Sequence, residues 1–278
     1  MSLKDVGKFF IRAIIGATSR STVPVLLGPL RGRRLLRQHG LPNLSMLFGT
    51  YERDFANAFV KRSSQSTVIY DIGANTGYFS LLSAHTAPKN AQVYAFEPVP
   101  GVLRDLDELA QKNHLAKSIT PCCLALSDSN GSIRMYTPAS HQTGVIETAL
   151  RHGELSSAEF LTAPCARLND YVAEQGMPAP DLIKLDVEGA EGLVLKGATE
   201  LLRTARPTIL IEVHGCEPAE AVWDQLAAVD YTIDLIVGDQ EIRVSDRRSW
   251  LDYFSGSKWT IRHCIALPAS ARSASAAA

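Results

Sequence analysis

From residue 67 onward two hydrophobic rhythms alternate along the chain. Short, continuously apolar runs recur at 68–72, "QVYAFE" (92–97), "ITPCCLALSD" (119–128), "DLIKLDV" (181–187), "TILIEVH" (208–214), "YTIDLIVG" (231–238) and "WTIRHCIAL" (259–267). Between several of them lie longer stretches, 77–87, 98–113, 189–203 and 218–229, whose apolar residues return every three or four positions. The first rhythm predicts strands buried on both faces, and the second predicts amphipathic helices. Their alternation predicts an α/β fold, a mostly parallel seven-stranded sheet with helices on both faces. No long helix separates the last two strands, so an antiparallel pair is expected there.

Two regions depart from this rhythm. Residues 1–60 read as a helical segment broken by Pro24, Gly28, Pro29 and Gly40. Residues 129–180 form a long insertion, with turn signals at Ser129-Asn130-Gly131 and a short helix near 168–176. Such an insertion carries specificity or builds a lid. The expected organisation is an N-terminal segment (1–60), a main domain (61–268) and a low-complexity, disordered tail (269–278).

Composition narrows the class. The 278 residues are 46% hydrophobic and 21% charged, with a net charge of −1, so nothing draws the whole chain to nucleic acid. The charge is uneven: residues 1–50 hold eight Lys/Arg against the single acid Asp5. A basic end of this kind is either a solvated face or a peripheral contact with an anionic membrane or partner. "FFIRAIIGA" (9–17) contains Arg12 and is too short to span a bilayer. Five cysteines without a CxxC pair point to reduced thiols and a cytoplasmic location.

The first strand runs into Asp71-Ile72-Gly73-Ala74-Asn75-Thr76-Gly77 and then directly into a helix. In open α/β sheets, ligands settle at the carboxyl ends of the strands where the strand order reverses. Gly73 suits a tight turn with positive φ and the close approach of a ligand, and Gly77 lets the helix pack closely on the sheet. Glu97 ends the second strand, where a carboxylate can accept from both ribose hydroxyls. An adenosine-like ligand is expected. A nicotinamide dinucleotide needs glycine where Asn75 stands, because its pyrophosphate approaches that turn closely. Asp71 repels pyrophosphate but suits an ammonium group. S-adenosylmethionine satisfies each condition.

"YDIGANTGYFSLLSA", "VYAFEPVPGVLRDL", "ALSDSNGSI" and "DLIKLDVEGAEGLVLKGATELL…RPTILIEVHG" occur in order and at proper spacing. Together with "FGTYERDF" (48–55) they resemble the FkbM family of S-adenosylmethionine-dependent methyltransferases, over about 48–215. The resemblance implies a class I, Rossmann-like methyltransferase fold whose last strand is antiparallel. It also implies O-methylation of a hydroxyl on a sugar, glycoconjugate or natural product, without selecting the acceptor or the oligomeric state.

On this basis Asp71, Gly73, Asn75 and Gly77 should border the methionine moiety and Glu97 should hold the ribose. Leu126 and Ser127 should flank the adenine, unless Ser127 is only a turn residue. Glu52 either reaches over the cofactor or is an exposed carboxylate at a helix start. Lys184, Asp186, Glu188 and Glu191 crowd the end of the fourth strand, and Glu212 and His214 end the fifth. Alternation along a strand puts Lys184 with Asp186, and Glu212 with His214. Asp186, Glu212 and His214 are therefore the candidate catalytic residues, with Asp186 or His214 as base. Glu188 is either part of this group or a cap for the next helix. The same carboxylates resemble the metal site of catechol-type O-methyltransferases, so a divalent ion on Asp186, Glu212 and His214 is a second mechanism. His141, Thr143 and Gly144 lie where an acceptor would enter. The rival reading is a non-catalytic nucleoside-binding protein docked through its basic N-terminus.

Overall fold

The computed structural model describes residues 22–37, 43–138, 145–146, 158–256 and 260–269. The expectations for the first 21 residues, for His141, Thr143 and Gly144, and for the tail beyond 269 lie outside the described residues.

The N-terminal segment is not all helix. β1 (Thr22–Pro24) and β2 (Arg34–Leu36) pair antiparallel, followed by α1 (Leu44–Leu47) and α2 (Arg53–Ser63). The prolines and glycines that break a helix here close a turn instead: Val25 N–H donates to the Arg33 carbonyl and Gly32 N–H to that of Val25.

The central α/β unit then begins with β3 (Val68–Ile72), α3 (Tyr78–Thr86), β4 (Gln92–Phe96), α4 (Pro100–Lys112) and β5 (Ile119–Cys122). The expected third strand stops at Cys122. Residues 125–126 form β6, which leaves the central sheet and pairs parallel with β9 (Ala158–Ala166). Between them run β7 (Gly131–Pro138) and β8 (Val145–Ile146), so the insertion is a second, four-stranded sheet of order β6-β9-β7-β8. The expected short helix follows as α5 (Leu168–Gln175).

The chain returns to the centre with β10 (Leu182–Leu185), α6 (Glu191–Gly197), α7 (Thr199–Ala205), β11 (Thr208–His214) and α8 (Cys216–Ala227). The helix expected over 189–203 breaks at Ala198. The last elements are β12 (Tyr231–Val237), β13 (Gln240–Arg243), α9 (Arg247–Asp252) and β14 (Ile261–Pro268). The central sheet has order β13-β12-β14-β11-β10-β3-β4-β5. β5, β4, β3, β10 and β11 are parallel, and β14 runs antiparallel between β11 and β12. Seven of these strands are the expected class I methyltransferase sheet. The eighth, β13, is a hairpin partner of β12 that alternation of strands and helices did not foreshadow.

Successive residues of each strand face opposite layers. Tyr70, Ile72, Leu185 and Ile211 join Val194, Leu202, Val222 and Trp250 in one core, beneath α5 to α9. Ile69, Val93, Leu182 and Leu210 join Phe79 and Leu106 in the other, which also takes Leu30, Leu47, Phe55 and Phe59 from the N-terminal segment. Both faces are thus covered. Ligand access is left at the carboxyl edge of the parallel strands, where the order reverses between β3 and β10.

Candidate active site

A cleft lies at that edge. Ile72, Gly73, Asn75, Phe96, Glu97, Leu126, Asp186 and Glu188 line it, with Leu124, Ala125, Val187 and Met135. Met135 comes from the inserted sheet, so the insertion builds part of the wall. Leu124 and Phe96 add apolar surface for a base. Sequence pattern missed Met135, which carries no local signal for facing this edge.

Glu97 is 5% exposed. Its Oε2 accepts from Asn75 N–H at 3.1 Å and its Oε1 from Val99 N–H at 2.9 Å. Burial pushes its carboxyl up to about 7, against the pull of these two amides and Lys184. The amides aim the carboxylate while each oxygen keeps a lone pair for a hydroxyl donor. Asn75 adopts φ of 49°, with its Oδ1 accepting from Thr76 N–H at 2.6 Å.

Gly73 lines the cleft, but its lack of a side chain serves the protein itself. With φ of 75°, a Cβ here would stand 1.8 Å from the Asp186 carbonyl oxygen. Gly77 does not line the cleft. Its missing Cβ admits Leu106 of α4, so it is a packing residue between helices rather than against the sheet. Asp71 is fully buried and also absent from the lining. Its Oδ2 accepts from Ser80 Oγ at 2.6 Å and its Oδ1 lies 3.6 Å from Lys184 Nζ. Ser127 is buried away from the lining, and its N–H donates to the Ala166 carbonyl.

Lys184 ties the floor of the site together. Its buried ammonium donates to the Gly73 carbonyl at 2.9 Å and to Asp186 Oδ2 at 3.1 Å. Burial disfavours its charge, but Asp186 and Asp71 outweigh that and raise its pKa. The β3 and β10 ends are therefore pinned by one cation, which fixes Asp186 at the cleft.

Beyond Asp186 lies a dense charged cluster. His214 Nδ1 is 2.8 Å from Glu191 Oε1. His214 Nε2 is 3.2 Å from Glu212 Oε1, 3.5 Å from Glu188 Oε2 and 3.7 Å from Asp186 Oδ1. Glu212 faces His263 across the β11–β14 ladder, and its Oε2 is 2.8 Å from His263 Nε2. Glu52 joins from the N-terminal segment with φ of 40°. Its ligand atom lies within 4.8 Å of those of Glu212 and His263, so it is part of the site. Burial and the Glu212 charge push its carboxyl up to about 7. Two carboxylates about 4 Å apart repel by roughly 4 kcal/mol at an effective dielectric constant of about 20, so this crowding needs cationic compensation. Burial disfavours the His214 cation, yet Glu191 and Glu212 outweigh it and push the imidazole up to about 11. Both imidazole nitrogens of His214 thus stand beside carboxylate oxygens. Burial raises the pKa of Asp186 despite Lys184.

A sheet of this order, with a carboxylate closing its second strand beside a cleft at the carboxyl edge, is the frame of a class I methyltransferase. A family model described as the methyltransferase FkbM domain matches residues 71–238. The chain belongs to that family. Among similar proteins, "31-O-demethyl-FK506 methyltransferase FkbM" of Streptomyces tacrolimicus is 30% identical over 177 residues, covering 55% of this chain and 67% of that protein. "Hexuronic acid methyltransferase AglP" of Haloferax volcanii is 27% identical over 170 residues, covering 61% of this chain and 65% of that protein. The match to "2-O-methyltransferase NoeI" of Sinorhizobium fredii is 30% identical and covers 50% of this chain and 60% of that protein. The chain thus spans about two thirds of these relatives. A solved FkbM methyltransferase from Methylobacillus flagellatus is 19% identical, with a TM-score of 0.44 over 73% of this chain and 43% of that one. Among the described residues no helix is long and apolar enough to cross a membrane.

Proposed function

We propose that this chain is an S-adenosylmethionine-dependent O-methyltransferase acting on a hydroxyl of a sugar, glycoconjugate or natural product. The observation that carries this reading is the meeting of two features in one cleft. Glu97 is aimed by two backbone amides at one end, and Asp186, pinned by Lys184, stands where the cleft joins the carboxylate cluster. The printed names of the relatives, two of which specify oxygen positions, support oxygen as the acceptor atom.

In this reading Glu97 holds the ribose, and Phe96, Leu124 and Leu126 flank the base. Gly73 and Asn75 border the amino-acid end. When bound, the cofactor supplies an electrophilic methyl carbon on a sulfonium, whose C–S bond breaks toward sulfur as the acceptor oxygen forms the new C–O bond. The acidic cluster favours positive charge at that end of the cleft. Asp186 and Glu188, which also line the cleft, orient the acceptor hydroxyl, and its proton passes to this cluster.

Two measurements test the reading. Calorimetry should show S-adenosylhomocysteine binding and no NAD binding. Turnover with labelled methyl donor over a panel of sugars and glycosylated metabolites should yield a labelled ether. NAD binding without S-adenosylhomocysteine binding would remove the cofactor assignment. Asp186→Asn should bind S-adenosylhomocysteine within a few-fold of the parent while transfer falls by about 10²–10⁴. Equal rates would take Asp186 out of the mechanism.

A further inference from the structure

Among the described residues of β7, β8 and β9, only Met135 lines the cleft. It sits on β7, opposite Leu161 of β9 and Ile146 of β8. Alternation along β7 turns its neighbour Arg134 to the other face of the inserted sheet. There the Arg134 guanidinium carbon stands 3.9 Å from the centre of the Phe160 ring. Met135 faces inward and packs with Ala125, Ala163, Cys165 and Ala190. Three alanines and a cysteine leave room for one long side chain. Met135 fills that room at 3% exposure, so packing holds it in place at the cleft wall.

Its neighbours fix its place along the cleft. The strands there follow the order β10, β3, β4, β5. Gly73, Asn75, Asp186 and Glu188 follow β3 and β10 and form one end of the lining. Glu97 follows β4 and stands between. Leu124, Ala125 and Leu126 follow β5 and form the other end. Met135 packs on Ala125 and so belongs to that other end. With a ribose on Glu97 and the amino-acid moiety toward Gly73 and Asn75, the group that reaches Met135 is the base. Ser127, expected beside the base, is buried and absent from the lining.

We propose that the thioether of Met135 lies against the face of the cofactor's purine ring, which makes the inserted sheet part of the cofactor site. This rests on the methyltransferase reading for the identity of the ligand. A thioether suits the position because it is apolar, polarizable and attracted to aromatic rings. Phe96, Leu124 and Leu126 complete the apolar slot. Met135 also shares its small core with Ala190, and Val187 packs against that core. These two residues flank the turn that carries Glu188. One side chain therefore joins the base to the turn beside Asp186.

The test labels the methionine methyl groups of the full chain with ¹³C. The chain has four methionines, Met1, Met46, Met135 and Met177, and the signal that Met135→Leu removes is that of Met135. With S-adenosylhomocysteine bound, this methyl group should show a nuclear Overhauser cross-peak to a purine proton, with an upfield shift from the ring current. Met46 and Met177 pack against the two main cores and should show neither. Calorimetry should find S-adenosylhomocysteine affinity lowered by about 3–10-fold in Met135→Ala, the scale of a lost sulfur–aromatic contact. Met135→Leu, which keeps the apolar volume, should regain part of that loss. A purely structural Met135 would alter thermal stability without any contact to the purine. If calorimetry shows the parent saturated with S-adenosylhomocysteine and the cross-peak is absent, the proposal is wrong and the methyltransferase reading stands. Unchanged affinity in folded Met135→Ala also overturns it. If the parent binds no S-adenosylhomocysteine, the proposed function falls and this inference falls with it.

Discussion

A methyl group at position 73 would lie 1.8 Å from the backbone oxygen of Asp186, in a backbone conformation that L side chains rarely adopt. Gly73→Ala should therefore destabilise the fold by roughly 2–5 kcal/mol, combining positive-φ strain with overpacking. Urea denaturation measures this directly. Glu97 makes a different demand. Its folded pKa of about 7 exceeds the ordinary glutamate value of 4.5, so the folded, ligand-free chain binds this proton more tightly than the unfolded chain does. Stability from this group is present below pH 4.5 and is lost as pH rises toward 7. Cofactor binding has the opposite sign, because hydroxyl donors need the ionised carboxylate. Affinity for S-adenosylhomocysteine should be full above about pH 7 and fall by up to about tenfold per unit below it, and calorimetry between pH 5.5 and 8 would show it. The placement of Glu97 and Asn75 at the cleft was legible in the sequence because a strand end and the turn after it carry their own pattern. The contact of Asp71 with Lys184 was not legible, because Lys184 lies 113 residues away and meets it only when β3 and β10 pair.

At the scale of elements, Lys184 acts as a rivet between the first and fourth parallel strands, bonding a carbonyl of one turn and a carboxylate of the next. Lys184→Met would leave the fully buried Asp71, and Asp186 at the cleft, without their shared cation. Breaking a buried charge pair in this way costs about 3–5 kcal/mol. A drop of that size in unfolding free energy is expected, whereas Lys184→Arg should retain part of it if the larger head is tolerated. Elements with a long apolar period were legible, including the parallel strands and α3, α4 and α8. Those set by partners were not. The run 119–128 reads as one strand, yet it divides where β6 leaves for the second sheet. β13 (Gln240–Arg243) is mostly polar and exists through its ladder with β12. Residues 22–36 look like broken helices until their turn amides close on Arg33 and Val25.

At the scale of the molecule, the site extends beyond the matched span of 71–238. Glu52 comes from before it and His263 from after it, and both converge on Glu212. The N-terminal segment is also structural, since Leu47, Phe55 and Phe59 are each 0% exposed in a core shared with β3 and β11. A chain begun at residue 61 should therefore aggregate rather than fold as an independent domain. A comparison of two phenylalanines separates the structural role from the functional one. Phe55 and Phe59 are equally buried and both meet Phe79 edge-on. Only Phe55 also stacks on His263, with ring centroids 4.6 Å apart. Either residue replaced by alanine should cost about 3–5 kcal/mol. Phe55→Ala should in addition free His263, loosen Glu212 and lower the rate of methyl transfer, with S-adenosylhomocysteine affinity retained. Measured at a temperature where both variants are fully folded, equal transfer rates for the two would mean that the N-terminal segment supports the fold alone. A selective loss in Phe55→Ala would place that segment in the working site through His263.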